Sequence, residues 1–366
     1  MMKRILKYFV CLGIISFIIV SCCMANRNLL YATFFKSSYK IDSKPKYVRG
    51  IHITPWSAGS LKYREKINKL IENTGLNTIV IAVKEYNGEV YIPDVTQAIE
   101  FKAYVKAMPD IKKYLETLQD KGVYTVARIV VFKDDIAARK KPEWAVETKN
   151  GEIWQDRRNQ AWLDPYNRDN WEYTFSIADK CVELGFDELQ FDYIRFPSDG
   201  VISNCKYSVP HSSTTAVMAI CAFLQEAQQR YKTNLGVPIS IDVFGLTTSA
   251  DDDMGIGQII VEMEKYVDYI CPMVYPSHYA KNTYGLADPD SQPYETINIA
   301  LIDAKERLGE NISKLRPYLQ DFTVKYRYGK KEILDQIKAC ADNGIFEWTL
   351  WNPRSAYTDG VFDEDK

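Results

Sequence analysis

From residue 48 onward, short runs of β-branched and apolar residues alternate with longer stretches whose apolar positions recur at helical spacing. Eight runs read as strands: 48–54 (VRGIHIT), 78–84 (TIVIAVK), 123–132 (VYTVARIVVF), 188–196 (ELQFDYIRF), 238–245 (PISIDVFG), 268–275 (DYICPMVY), 315–322 (LRPYLQDF) and 346–352 (FEWTLWN). Between them, 61–75, 111–122, 171–185 and 331–344 read as amphipathic helices. Each closes on a glycine (Gly75, Gly122, Gly185, Gly344) suited to a left-handed C-cap. Strand, helix, glycine, strand is the pattern of repeated βαβ units. Eight such strands predict an α/β fold of the (β/α)8 TIM-barrel type. A doubly wound open sheet is the competing topology, but IHITPWSAGS after the first strand has no GxGxxG phosphate turn. Residues 133–167, after the third predicted strand, make a loop too long for a plain connection. It is expected to carry a small hairpin around Asn150 and Gly151, with Trp144, Trp154 and Trp162 as substrate platforms.

Alternation within the strands then sorts their residues. In ELQFDYIRF the parity that turns Asp192 into the barrel also turns in Gln190 and Glu188, leaving Leu189, Phe191 and Tyr193 outward. The same test gathers His52, Lys84, Arg128, Asp192, Asp242, Tyr275, Gln320 and either Trp348 or Trp351 near the C-terminal strand ends. A barrel floor needs only Val, Ile and Leu, so polar groups from nearly every strand suggest a site. The bland alternative is a set of rim ion pairs, such as Arg128 or Arg195 with Asp192.

Asp192 and Asp242 end consecutive strands, whose backbones should lie about 4.8 Å apart. Two neighbouring carboxyls, one ionised and one protonated, are the reagents of glycoside hydrolysis; close spacing favours retention and a wider gap inversion. Glu85, Asp321 and Glu347 compete for either role, with Asp242 ranked above them as the acid. Arg195 and Lys84 are expected to neutralise and orient the acids. Tyr275, Trp348, Trp351 and Trp56 are expected to face sugar rings, and His52, Glu85, Arg128 and Gln320 to line the substrate site.

Composition narrows the classes. With 46% hydrophobic and 26% charged residues the chain is of ordinary globular type, and a net charge of −2 offers no overall positive field for nucleic acid. Of eight cysteines, Cys11, Cys22 and Cys23 fall near the N-terminus, leaving five widely spaced, an odd set that makes no disulfide framework. There is no CxxC pair, only three histidines, no HExxH and no GxSxG. Neither a metal hydrolase nor an esterase is supported, and no cofactor is expected. Lys3, Arg4 and Lys7 precede an apolar stretch over 8–20, which reads as an export signal. Its end, IIVSCC, resembles a bacterial lipobox with Cys22 as the lipidated residue. The expected organisation is a lipoprotein signal over 1–22, a tether over 23–47 and a barrel over 48–360, held extracytoplasmically on a membrane by its lipid.

FDELQFDYIRFPSDG, together with SIDVFG, CPMVYPSHY, RPYLQDF and WTLWNP in order, resembles a glycoside hydrolase domain family, formerly a domain of unknown function, related to α-amylase and α-galactosidase-like barrels. The resemblance implies a TIM barrel with Asp192 at the fourth-strand position of the nucleophile and Asp242 at the fifth-strand position of the acid/base. Related barrels often carry Glu at the latter, so the shorter Asp242 is a departure. The expectation is a glycoside hydrolase cleaving an extracytoplasmic or cell-envelope polysaccharide. The alternative is a non-catalytic glycan-binding or scaffold lipoprotein, in which tryptophans bind and the acids only brace.

Overall fold

All eight apolar runs become parallel strands: β1 (Arg49–Ile53), β2 (Thr78–Lys84), β3 (Tyr124–Val130), β4 (Glu188–Asp192), β5 (Ile239–Phe244), β6 (Tyr269–Met273), β7 (Tyr318–Gln320) and β8 (Trp348–Trp351). Each pairs with the next in chain order, and β8 returns to β1 through Arg49 opposite Trp348, closing the (β/α)8 barrel. The computed structural model describes residues 44–362. The signal over 1–22, Cys22 and most of the tether lie outside the described residues. Within the span expected as a tether, Lys44 pairs with Glu347 at 2.6 Å and Tyr47 packs on Phe346, at the N-terminal face of the barrel.

The outer layer comprises α1 (Leu61–Glu72), α2 (Ile111–Asp120), α3 (Trp171–Leu184), α4 (Ser213–Ala227), α5 (Ile260–Met263), α6 (Pro293–Leu308) and α7 (Lys330–Asp342). Gly122, Gly185 and Gly344 take positive φ after their helices, as the C-cap reading expects. Gly75 does not: α1 stops three residues earlier and Asn73 caps it, its N–H bonded to the carbonyls of Lys69 and Ile71. α4 and α6 lie where no helix was expected.

The barrel floor departs from the aliphatic expectation. Glu188 at the start of β4 points inward and accepts hydrogen bonds from Arg316 Nη1 (2.8 Å), Ser240 Oγ (2.6 Å) and Tyr124 Oη (3.0 Å). Arg316 also reaches Glu347 at 3.1 Å. A buried pair is tolerated when its remaining polar atoms are largely bonded, and here β3, β4 and β5 contribute Tyr124, Glu188 and Ser240, with Arg316 and Glu347 from just before β7 and β8. Above this layer, Gln190 accepts from Tyr318 Oη at 2.7 Å. The inward parity read for β4 is therefore correct down its length.

The expected hairpin forms, with Gly151 at φ 83° and Thr148 N bonded to Glu152 O at 2.7 Å. A two-stranded ribbon of Glu147–Thr148 against Cys205–Lys206 ties this loop to the one after β4. The three loop tryptophans are not open platforms. Trp144, Trp154 and Trp162 are all buried: Trp154 Nε1 donates to Val201 O and Trp144 meets Phe101 edge-on. A 35-residue excursion needs its own apolar filling, and these rings supply it.

Candidate active site

β4 ends abruptly. Tyr193 follows Asp192 at φ +50°, a conformation uncommon for a bulky residue, and turns the chain out of the barrel. Its N–H then donates to Asp192 Oδ1 at 2.6 Å. Asp192 Oδ2 accepts from Arg128 Nε at 2.9 Å and also from Arg128 Nη2. Arg128 comes from β3, whose Val130 stands opposite Asp192. Its guanidinium stacks on Trp351 of β8 and reaches Glu85 at 3.3 Å. Both oxygens of Asp192 are thus fixed before any ligand arrives.

Asp242 lies on β5. Phe191 pairs with Ile241 across β4 and β5, so Asp192 and Asp242 fall at the next step of the register. Asp242 Oδ2 sits 3.6 Å from Arg128 Nε and Oδ1 has no hydrogen-bond partner in the protein. Burial, then the neighbouring Asp192 carboxylate, raise its pKa well above the ordinary carboxyl range, with Arg128 opposing. A protonated Asp242 beside a clamped Asp192 carboxylate is the division of states that acid catalysis with a nucleophile requires.

Above them opens a cavity of about 530 Å³, within the range of ligand sites. Arg128, Asp192, Tyr275 and Trp351 line it, as do Arg195, Tyr193, Phe244, His278 and Tyr279. Asp242 lies beneath this wall rather than in it. Tyr275 Oη is buried and has no hydrogen-bond partner in the protein. Gly245 forms part of the wall where β5 ends; a Cβ there would lie 2.5 Å from Met273 O and 2.6 Å from Tyr279 Oη.

The remaining predicted residues divide. His52 stacks on Trp351 with centroids 3.8 Å apart; burial, then Arg128, lower its pKa, so the ring is neutral beside the site. Glu85 reaches the site only through Arg128. Trp56 stands 61% exposed on the helix after β1, outside the cavity wall. Gln320 points inward, but its amide accepts from Ser277 N and donates to Phe322 O, tying two loops together. Trp348 faces the other way, stacked on Phe362 at the N-terminal end. Parity separates it from Trp351, which is the tryptophan of the site.

Lys84 is a correction. It is fully buried against Asp134 at 2.8 Å and Val130 O at 2.7 Å, over the ring of Tyr173 on α3. Ala82 pairs with Arg128 but Lys84 with Ile129, so β2 holds one extra residue. That bulge inverts the parity of everything after it and sends Lys84 outward into the helix layer. Arg195 is not the partner of Asp192 either; Arg128 is. Of the competing acids, Glu347 belongs to the N-terminal face, and Asp321 accepts from Thr358 N and Oγ1. Among the described residues no group of three or more His, Cys, Asp or Glu side chains is arranged to hold a metal.

The sequence reading missed Tyr193, Phe244, His278 and Tyr279. Phe244 has the same parity as Asp242, which could have placed it. The other three lie beyond strand ends, where alternation no longer applies.

No curated protein matches the chain. Among solved structures, the PgaB (BpsB) glycoside hydrolase domain from Bordetella bronchiseptica is similar with a TM-score of 0.64 at 12% identity, over 84% of this chain and 95% of that one. The α-galactosidase TtGalA from Thermus thermophilus is similar with a TM-score of 0.54 at 9% identity, over 91% and 64%. The spore cortex-lytic enzyme SleL from Bacillus megaterium is similar with a TM-score of 0.52 at 11% identity, over 87% and 74%. At such identities the likeness is one of fold, a TIM barrel shared with glycosidases. Family membership rests on the sequence: a family model matches residues 50–357, from β1 to beyond β8, and the chain belongs to the family it describes, "Putative glycosyl hydrolase domain".

Proposed function

We propose that the protein is a retaining glycoside hydrolase acting on an extracytoplasmic or cell-envelope polysaccharide, with Asp192 as nucleophile and Asp242 as acid/base. The observation that carries this reading is the clamped Asp192 carboxylate in the wall of an aromatic-lined cavity, one register step from an Asp242 kept protonated by burial. In the first step an Asp192 oxygen bonds to the anomeric carbon as the glycosidic C–O bond breaks and the leaving oxygen takes the Asp242 proton. In the second, Asp242 removes a proton from water, whose oxygen displaces Asp192 and leaves the sugar with its original configuration. Retention is supported by geometry: the two Oδ2 atoms share Arg128 Nε at 2.9 and 3.6 Å, so they lie no farther apart than the sum of those distances. That limit meets only the lower edge of the roughly 6.5–9.5 Å of inverting pairs.

Location follows from the N-terminal reading alone: a charged segment, an apolar stretch and Cys22 in lipobox context.

One observation favours a second reading, a glycan-binding barrel without catalysis. Asp242 adds nothing to the cavity wall and Arg128 engages Asp192, as in a brace for a buried cation. A polysaccharide panel with mass-spectrometric detection of products separates the two. The hydrolase reading predicts cleavage by the native protein and none by a folded Asp192→Asn variant. Glycan affinity with no cleavage anywhere on the panel supports the second.

A further inference from the structure

Six cationic side chains are buried among the described residues: Arg64, Lys84, Arg128, Lys133, Arg195 and Arg316. Five are paired with a carboxylate, namely Asp110, Asp134, Asp192, Asp156 and Glu188 in that order. Arg195 is the exception. It is 7% exposed and makes no ion pair among the described residues. Nη1 donates to neutral acceptors, Phe196 O at 3.0 Å and Ser198 Oγ at 3.1 Å. Its guanidinium is otherwise held by ring faces, over Phe244 at 4.5 Å, Tyr193 at 4.8 Å and Trp162 at 4.9 Å. Burying a cation without a counter-ion costs several kcal/mol, which ring faces offset only in part. Burial accordingly pulls its pKa below the ordinary guanidinium value, yet an arginine remains charged. Asp192, Asp199 and Asp156 act on the charge from a distance and offset it in part, but none pairs with it directly, and it stands in the same cavity wall as Asp192 and Tyr275.

We infer that Arg195 is an anion subsite, and that the substrate carries a negatively charged group, a sugar carboxylate or a phosphate, on a residue bound in this cavity. The inference rests on the glycosidase reading for the word substrate and on the unpaired cation for the charge. A guanidinium presents N–H groups in a fork that matches either anion, and the flanking rings hold that fork in orientation. Closing the pair in a largely desolvated pocket makes the charged ligand favourable over its neutral counterpart by the margin of a charge-assisted hydrogen bond, about tenfold or more in affinity.

The test compares D-glucuronate, D-glucose 6-phosphate and D-glucose as ligands of the native protein by NMR titration. At least one charged sugar is expected to bind about tenfold or more tightly than glucose, with the advantage shrinking as salt is raised; which arm wins distinguishes carboxylate from phosphate. Arg195→Gln is expected to abolish the advantage and Arg195→Lys to keep part of it. No charged-sugar advantage in the native protein overturns the inference, whether or not the variants fold, as does an advantage that survives Arg195→Gln. Cleavage of neutral glycans at rates indifferent to Arg195→Gln would sink the subsite and leave the hydrolase standing. Charged-sugar binding through Arg195 without cleavage of any glycan would do the reverse.

Discussion

Replacing Asp192 with asparagine keeps the side chain's size while removing the charge that Arg128 clamps and the oxygen proposed as the nucleophile. The expected outcome is a folded protein, verified by circular dichroism, with activity at background. Asp242→Asn, which removes the proposed proton donor, should lower kcat by about 10²- to 10⁴-fold, measured with a chromogenic glycoside of the sugar the panel identifies. The pH dependence follows from the raised Asp242 pKa, caused first by burial and then by Asp192. The acid form persists until pH reaches that raised value, so activity should fall on the alkaline side as the proton leaves. Stability has the same sign. The folded state binds this proton more tightly than the unfolded chain, whose carboxyl titrates near 3.9, so stability is lost as pH rises through the folded value. Thermal melts across pH should show this slope in the native protein and a shallower one in Asp242→Asn. Asp192 was legible because alternation and a charge after an apolar run both pointed to it. Its cation was not, since Arg128 and Arg195 both fit by sequence and only the turn at Tyr193 carries Arg195 away.

Single elements decide which strand ends reach the site. One additional residue in β2 moves Lys84 from the barrel mouth to the helix layer, where it pairs with Asp134. Lys84→Met leaves Asp134 buried without its cation and should cost about 3–5 kcal/mol in chemical denaturation. The folded fraction should retain native kcat/KM; a specific loss of substrate affinity would return Lys84 to the site. At the end of β5, Gly245 is glycine because Met273 O and Tyr279 Oη crowd its Cβ position. Gly245→Ala should therefore displace the strand β6 carbonyl or the Tyr279 ring, reducing activity more than Leu246→Ala beside it. A strand pattern shows parity up to a bulge and not beyond it, which is why β4 was read correctly to Asp192 and β2 failed at its last residue. α4 escaped notice because apolar residues surround it, as in STTAVMAICAFL, and leave little contrast between faces.

The described residues form a barrel whose interior is polar at both ends. At the N-terminal end Arg316 pairs with Glu188, and at the C-terminal end Arg128 and Asp192 line an open cavity with Asp242 buried beside Arg128. The eight-strand architecture was legible because turns and glycines punctuate the apolar runs at regular intervals. Parity turned Glu188 inward, but its pairing was not legible, because Glu188 and Arg316 lie 128 positions apart and only barrel closure brings them together. The proposed anchoring through Cys22 is tested by cell fractionation: Cys22→Ser should move the protein from the membrane fraction to the soluble one without altering the barrel's activity. The central claim, that Asp192 is a reagent rather than a brace, is most directly tested by intact-protein and peptide mass spectrometry after exposure to an activated 2-fluoroglycoside of the cleaved sugar. A retaining nucleophile predicts one added glycosyl group, mapped to Asp192 and absent in Asp192→Asn; an unlabelled protein that still cleaves, or a label on another carboxylate, would contradict the account.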